Sequence, residues 1–514
     1  MQSVCASDPA PLVDLLRADI AAQRAAMDRG HLGSADLVDG YLERIARLDR
    51  DGPRINAVIE LDPDAPTAAR ELDAERAAGR VRGPLHGIPV LVKDNIAVAG
   101  GTSTTAGSLA LDGVPAARDA PLVAHLRDAG AVILGKTNLS EWANIRSSRS
   151  SSGWSARGGL TRNPHALDRS TSGSSSGSGA AIAASLATVA IGTETDGSIV
   201  SPSSINGIVG LKPTVGLVSR EGVIPISHSQ DTAGPMTRTV ADAALVLQAF
   251  ADLARVPEDL SPGRPGTVPD YARHLDRDAL GGARLGVARS MFATDPAVVA
   301  LAERALADLA AAGAELVDVT LPAEAEYEEA EVLVMLVELA AGLPDYLRDY
   351  APDAAVHDLA EVVAFNRRHA DRELARFGQD LFERALELGG LDDPEYLAAH
   401  AHSRGIARAG LDAAFGEHGL DAIVAPTNGP AWLIDFISGD HHPTSFSTPA
   451  AVAGYPHLTV PAGFVAGLPV GLSFVGPAWS EPQLLALGYA YEQTTGHRRD
   501  PAFSSSVTDL DGPR

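Results

Sequence analysis

The sequence predicts an α/β protein, and three features carry that reading. Short apolar runs with the length of buried strands, such as Ile88 to Val92, Ala131 to Leu134 and the AIVAPT segment after Asp421, alternate with segments whose apolar residues recur at helical spacing. The same rhythm returns in the second half, where Leu285 to Val287 and Glu315 to Val319 flank a helical stretch. A chain of 514 residues, 45% of them hydrophobic, can bury a large core, either as two to four domains or as one large α/β domain.

The elements follow in order. From Pro11 to Leu48 apolar residues, among them Leu37, Val38, Tyr41, Leu42, Ile45 and Leu48, mark two helices, with Ser34 placed to cap the second. Ile55 to Leu61 reads as a short strand, and the charged helix after it stops at Gly79. Ile88 to Val92 is a buried strand that delivers Lys93 and Asp94 at its end. Asp119 to Gly130 is a helix, Ala131 to Leu134 the next strand, and Arg146 to Asp168 a long loop rich in serine, glycine and arginine.

The stretch Ser170 to Thr214 comes next: a loop of glycines and small hydroxyl residues, an alanine-rich helix, an apolar strand and a second glycine-serine turn. It predicts two exposed serine turns, one helix and one strand apart. Strand and turn continue after Lys212, a helix runs from about Val240 to Phe250, and Arg255 to Arg284 reads as a connector. Glu324 to Leu411 is strongly helical and acidic, an insertion or lid. From Asp421 onward, AIVAPT and TSFSTPAAVAGYPHLTVPAGFVAGLPVGLSFVGP read as strands completing the sheet, before a final helix around Gln483 to Gln493.

Charge and composition exclude whole classes of function. A net charge of -25 repels phosphate backbones, so nucleic acid is not an expected partner. The one cysteine, Cys5, allows neither an internal disulfide framework nor a cysteine-rich zinc site and reads as a bystander thiol. The adjacent His441 and His442 lack the spacing of a helical zinc motif and read as solvated loop residues. No basic leader with an apolar core opens the chain and no run of about 18 apolar residues interrupts it, so a soluble cytoplasmic protein without a membrane partner is expected, or equally a processed mature form.

Two motifs match familiar expressions in the wrong context. Gly130 to Thr137, GAVILGKT, fits the P-loop pattern, but its Ala-Val-Ile-Leu centre belongs to a strand, whose N–H groups go to a sheet ladder instead of to phosphate. Gly173 to Gly177, GSSSG, fits the nucleophile elbow with Ser175 at its centre, yet the polar HALDRSTS before it is not the required strand. Lysine usage is more informative. Among 41 basic residues only Lys93, Lys136 and Lys212 are lysines, and lysine, unlike arginine, can be neutral. A serine nucleophile needs a base, and the histidines are scattered. Lys93, at the end of a buried strand, is better placed, because desolvation favours its neutral form. From a reference pKa of about 10.4, neutrality at pH 7.4 costs roughly 4 kcal/mol, which burial must supply.

In these residues and motifs the chain resembles the amidase signature family. The resemblance rests on VLVKDN, GSSSGSG, TETDGSI and GLKPT in that order, with LGKTNLSEWAN, DTAGPMTR and GYPHLTVPAGF beside them, and spans about Val58 to Glu492. The wording NGIVGLKPTVGLVSR and the helical AFNRRHADRELARFGQ segment are most similar to the bacterial peptide amidases. The resemblance implies one domain over residues 1–514: a large mixed, twisted β-sheet covered by helices on both sides, with a helical preface at 11–50, a signature core at about 83–250, an insertion at about 324–411 and returning strands at about 420–495.

It further implies that Ser198 is the nucleophile, Ser174 the bridging serine, usually after a cis peptide, and Lys93 the base. Backbone N–H groups of Thr195, Asp196, Gly197 and Ser198 would form the oxyanion hole. From the residues themselves, Trp154 in the long loop is a candidate pocket residue, although a tryptophan there more commonly pins its loop, and Ser175 is a candidate member of the network. Two positions depart from the family pattern, Val200 where arginine is common and Glu194 where aspartate is common. The implied enzyme needs no metal or cofactor and acts, as monomer or homodimer, on small-molecule or peptide amides, C-terminal peptide amides first. A general aliphatic or aryl amidase is the alternative, and the acidic charge disfavours the glutaminase component of a tRNA-dependent assembly. More remote are a Ser-His esterase centred on Ser175, a P-loop nucleotide enzyme and a binding protein with an inert triad.

Overall fold

The structure, a computed structural model, describes residues 12–253, 263–292, 295–441 and 445–507. Cys5, His442 and residues 255–262 of the expected connector lie outside them. The organising element is one sheet of eleven strands. In chain order these are β1 (Val58–Leu61), β2 (Pro89–Lys93), β3 (Val132–Thr137), β4 (Val189–Glu194), β5 (Val209–Lys212), β6 (Thr232–Thr237), β7 (Arg284–Val287), β8 (Glu315–Asp318), β9 (Ala422–Pro426), β10 (His457–Val465) and β11 (Leu468–Val475). Their order across the sheet is β1-β3-β2-β4-β6-β5-β10-β11-β9-β7-β8.

The sheet is mixed: β2 lies parallel to both β3 and β4, β6 runs antiparallel to β4 and β5, and β7 lies parallel to β8 and β9. All residues of β2, β3 and β4 are buried, which is why these strands read as continuous apolar runs instead of alternating ones. As expected from the resemblance, the strands after Asp421 join the sheet of the first half, β10 pairing with β5.

The helical expectations largely hold. Helices span Ile20–Asp28, Ser34–Arg44, Ala65–Ala77, Pro121–Asp128, Ser176–Ala183, Val240–Phe250, Pro296–Ala311 and Glu481–Thr495. The acidic segment from Glu324 forms the long helices Glu328–Tyr350 and Pro394–His418, which pack on each other, with three shorter ones between them.

Four readings need correction or detail. Ser34 does not cap its helix. Gly33 is the N-cap, Asp36 accepts from its N–H and Asp73 accepts from Ser34 and Ala35, while the Ser34 hydroxyl donates to Gly87 O. The tertiary carboxylate of Asp73 does the work that the local hydroxyl was expected to do. Within the C-terminal run read as strands, Thr448–Ala453 is a helix, started by Pro449 in its first turn and ended by Gly454 at φ +78. The loop 146–168 contains a small hairpin, Trp154–Ser155 paired with Gly159–Leu160. Finally, the two serine turns are not exposed: Ser174 retains 1% of its accessible surface and Ser198 retains 9%. Small hydroxyl residues satisfy one another and the backbone, so a polar run can be an interior network as readily as a surface loop.

The P-loop expression dissolves into β3. Gly135 is a strand residue, and a Cβ there would stand 2.3 Å from Glu60 O of the paired β1, so glycine serves close strand approach. Lys136 donates to Ile96 O at 2.6 Å and Thr104 Oγ1 at 2.8 Å, with Asp94 at 3.8 Å, a structural lysine.

Candidate active site

The site grows from the register of two parallel strands. Val90, Leu91 and Val92 of β2 pair with Val189, Ala190 and Ile191 of β4, so the chain leaves both strands at the same end of the sheet. Lys93 and Thr193 are thereby neighbours although 100 positions apart. Parallel sheets commonly place their chemistry beyond such carboxyl ends.

Lys93 is completely buried. Its Nζ has three partners: Ser174 Oγ at 2.7 Å, Thr193 Oγ1 at 2.8 Å and Thr193 O at 3.2 Å. A neutral amine has two N–H donors and one lone pair. As an ammonium Nζ donates to all three; once deprotonated, with its two N–H groups on the Thr193 carbonyl and hydroxyl, its lone pair faces the Ser174 hydroxyl. Asn95 Nδ2 also donates to Thr193 Oγ1, at 3.0 Å, which steadies that acceptor. Burial pushes the Lys93 ammonium down to about 7, against the opposing charges of Asp231 and Glu194.

Ser174 follows a cis peptide bond from Gly173. Its segment is held on both sides: Ser140 N donates to Ser174 O at 3.1 Å, and Ser175 N donates to Ser198 O at 3.2 Å. Beside it, Trp142, Ala143 and Asn144 form a run at positive φ, a left-handed stretch of non-glycine residues of the kind found around functional sites. The neighbouring hydroxyls build the loop. Ser172 Oγ pairs with Ser201 Oγ at 2.7 Å, and Ser176 Oγ donates to Ser172 O at 2.7 Å.

The second turn, Thr195 to Ser198, joins β4 to the helix Val200–Ile205. Gly197 takes φ +72, and a Cβ there would meet Ser447 Oγ at 2.9 Å, so both the conformation and the space call for glycine. Glu194 folds the turn back on itself, its Oε2 accepting from Ile199 N at 2.7 Å and Val200 N at 3.0 Å. Val200 is fully buried at the start of that helix. Thr195 is held at both ends, its hydroxyl donating to Asp231 Oδ1 at 2.6 Å and its carbonyl accepting from Gln230 Nε2 at 3.3 Å. The Asp196 carboxylate accepts from Thr448 Oγ1 at 2.7 Å. The Ser198 hydroxyl has no hydrogen-bond partner among the described residues.

Lys93 and Ser174 therefore touch, and the Ser198 turn is joined to them through the backbone of Ser175. Ser175 itself donates from Oγ to Thr193 O at 3.1 Å and accepts from Thr193 N at 3.3 Å, so it steadies a partner of Lys93, and no histidine among the described residues hydrogen-bonds to it. His165 and His457 are buried elsewhere, pushed by burial down to about 4 and about 3. Trp154 packs edge-on against Phe377 with ring centroids 5.3 Å apart and shares Arg146 with it, which pins its loop to the helical insertion.

Sequence reasoning did not single out Thr193 or Asn95, and it noted Asp231 only as part of DTAGPMTR. A cavity of about 790 Å³ lies between the segment 215–231 and the helical insertion. Asp231 and Ser229 are on its wall, whereas Ser174 and Ser198 are not.

No helix among the described residues is long and apolar enough to cross a membrane. The family model described as Amidase matches residues 36–485. A probable amidase of Arabidopsis thaliana is 39% identical over 491 residues, 93% of this chain and 90% of that protein. A glutamyl-tRNA(Gln) amidotransferase component from Symbiobacterium thermophilum is 36% identical over 487 residues, 91% of this chain and 95% of that protein. The crystal structure of native peptide amidase from Stenotrophomonas maltophilia superposes with a TM-score of 0.90 at 54% identity, over 94% of this chain and 98% of that one.

Proposed function

Because the chain belongs to the amidase family and is an amide hydrolase, we propose that Lys93, Ser174 and Ser198 carry the reaction, with C-terminal amides of peptides as the preferred substrates. The observation that carries the catalytic part is the 2.7 Å contact between the buried Lys93 Nζ and Ser174 Oγ. A lysine held near pH 7 is poised to take a proton at neutral pH, where an exposed one would already be charged.

In this mechanism neutral Lys93 takes the Ser174 proton, Ser174 takes that of Ser198, and Ser198 Oγ attacks the carboxamide carbon. Charge on the tetrahedral oxygen is met by backbone N–H groups of Thr195, Asp196, Gly197 and Ser198, which need no reorganisation because the turn is already braced. Lys93 and Ser174 return a proton to departing ammonia, and water, activated along the same path, hydrolyses the acyl-enzyme. The preference for peptide amides is favoured by the higher identity to the peptide amidase, 54%, than to the amidotransferase component, 36%.

Ammonia release is the test. Across peptide amides, simple aliphatic and aryl carboxamides and glutamine, the reading expects the highest kcat/KM for peptide amides. Equal rates on simple carboxamides would make the enzyme a general amidase. Full turnover in Lys93→Met or Ser198→Ala would remove the triad.

A further inference from the structure

The Thr195 to Ser198 turn must keep its N–H groups aimed at one point through the reaction, yet it follows the sheet as a short irregular segment. Besides the Thr448 hydroxyl on Asp196, the segment 226–231 braces it from outside. Asp231 is buried and accepts three hydrogen bonds: the Thr195 hydroxyl on Oδ1 at 2.6 Å, and Ile226 N and Ser227 N on Oδ2, each at 2.9 Å. Both carboxylate oxygens are thus used, one on the catalytic turn and one on its own loop.

The loop is in turn anchored to the long helix Glu328–Tyr350. Gln230 Nε2, besides its bond to Thr195 O, donates to Glu331 Oε1 at 2.8 Å. Glu338 accepts from Ser229 N and Ser229 Oγ at 3.1 Å and from Tyr396 at 2.8 Å. Glu331 and Glu338 are themselves buried, and burial pushes the Glu331 carboxyl upward, toward its neutral form.

We propose that Asp231 is a positioning residue for amide hydrolysis, clamping the oxyanion turn through the Thr195 hydroxyl. This rests on the triad reading given above. The clamp joins the helical insertion to the chemistry: insertion helix, loop 226–231 and catalytic turn form one hydrogen-bonded chain.

The charge has a separate consequence. The carboxylates that oppose the burial of Lys93 are Asp231 first and Glu194 second, and Arg220 is the cation that acts on Asp231. Burial raises Asp231 to about 6, so above that pH it is an anion that favours protonated Lys93. Removing the charge makes Lys93 easier to deprotonate.

Three variants test the proposal through ammonia release. Thr195→Val, which keeps the side chain's shape but loses the hydroxyl, lowers kcat at least fivefold with KM changed less than threefold, and Thr195→Ser, which restores a hydroxyl, recovers most of that loss. Asp231→Asn moves the acid limb of the kcat/KM profile to lower pH by at least half a unit, a displacement that a purely structural side chain would not cause. A kcat for Thr195→Val within fivefold of the parent overturns the clamp, and a folded Asp231→Asn whose acid limb stays in place or moves upward overturns the action of its charge on Lys93. Should Asp231→Asn not fold, the Thr195 pair decides. Ser198→Ala and Lys93→Met separate this from the triad: if they abolish turnover while Thr195→Val does not reduce it, only the clamp fails, and if they retain turnover the triad itself fails.

Discussion

Replacing Lys93 by methionine should destroy turnover and stabilise the fold, and the second effect should depend on pH in a way that only a depressed lysine can produce. Burial lowers the group from 10.5 to about 7 in the folded chain. The folded state therefore binds fewer protons than the unfolded chain between those values, so this group adds stability as pH rises from about 7 toward 10.5 and withdraws it as pH falls. At pH 6 the full displacement counts against the fold, about 5 kcal/mol at about 1.36 kcal/mol per unit. At pH 9 only the remaining distance to 10.5 counts, about 2 kcal/mol.

Methionine removes the titration while leaving Lys136 and Lys212 in place, so their contributions cancel in the difference. The contacts to Ser174 and Thr193 are lost at both pH values, and the difference between ammonium and amine in making them is already contained in the lowered pKa. The stability of Lys93→Met relative to the parent should thus be about 3 kcal/mol more favourable at pH 6 than at pH 9, measured by equilibrium urea unfolding. Turnover of the same variant should fall by about 10² to 10⁴ or more, the usual worth of a positioned base. A relative stability that does not change between the two pH values would refute the reasoning, because it would mean that Lys93 is an ordinary charged lysine in the fold.

The parent's kcat/KM for amide hydrolysis should rise through an acid limb near pH 7, since Lys93 is neutral and able to take a proton only above that value. Initial rates from pH 5 to 9 check this, and a flat profile contradicts it. Ser198→Ala should lower ammonia release by about 10³ or more, whereas Ser175→Ala, which loses only bonds to the Thr193 backbone, should lower it less than about tenfold. The reverse order would restore Ser175 as nucleophile. Gly135→Ala should destabilise by more than about 2 kcal/mol in thermal or urea unfolding, because its Cβ would be driven into Glu60 O. Arg146→Met should cost about 3 to 5 kcal/mol by leaving Glu141 and Glu373 buried without their cation, and should loosen the helical insertion first, as read by hydrogen exchange.

How far the sequence reached can be judged residue by residue. Lys93 was legible because two local signals coincide in it: an apolar run of strand length ends there, and the residue is one of three lysines in the chain. The helix Val240–Phe250 and the strands β7 and β8 were legible for the same reason, since periodicity is a property of neighbours. The Thr448–Ala453 helix was missed because six residues of threonine, proline, alanine and valine carry no period that distinguishes a helix from a strand. The burial of Ser174 and Ser198 was missed because a serine-glycine composition is common to surface loops and to interior hydroxyl networks. Asp73 as a cap for a distant helix, and Asp231 as the partner of Thr195, were not recognisable as such: the pairs lie 38 and 36 positions apart and meet only when strands and helices pack.

By itself the sequence determined which chemistry was possible: an α/β framework, serines in two glycine-bearing turns, and an amine that can shed its proton. Tertiary structure decided which of these groups meet: parallel pairing of β2 with β4 sets Lys93 against Thr193, the loop before the helix Ser176–Ala183 brings Ser174 to Lys93, and all three are buried. Desolvation and hydrogen-bond geometry depend on atoms from segments a hundred residues apart, and no local pattern encodes them.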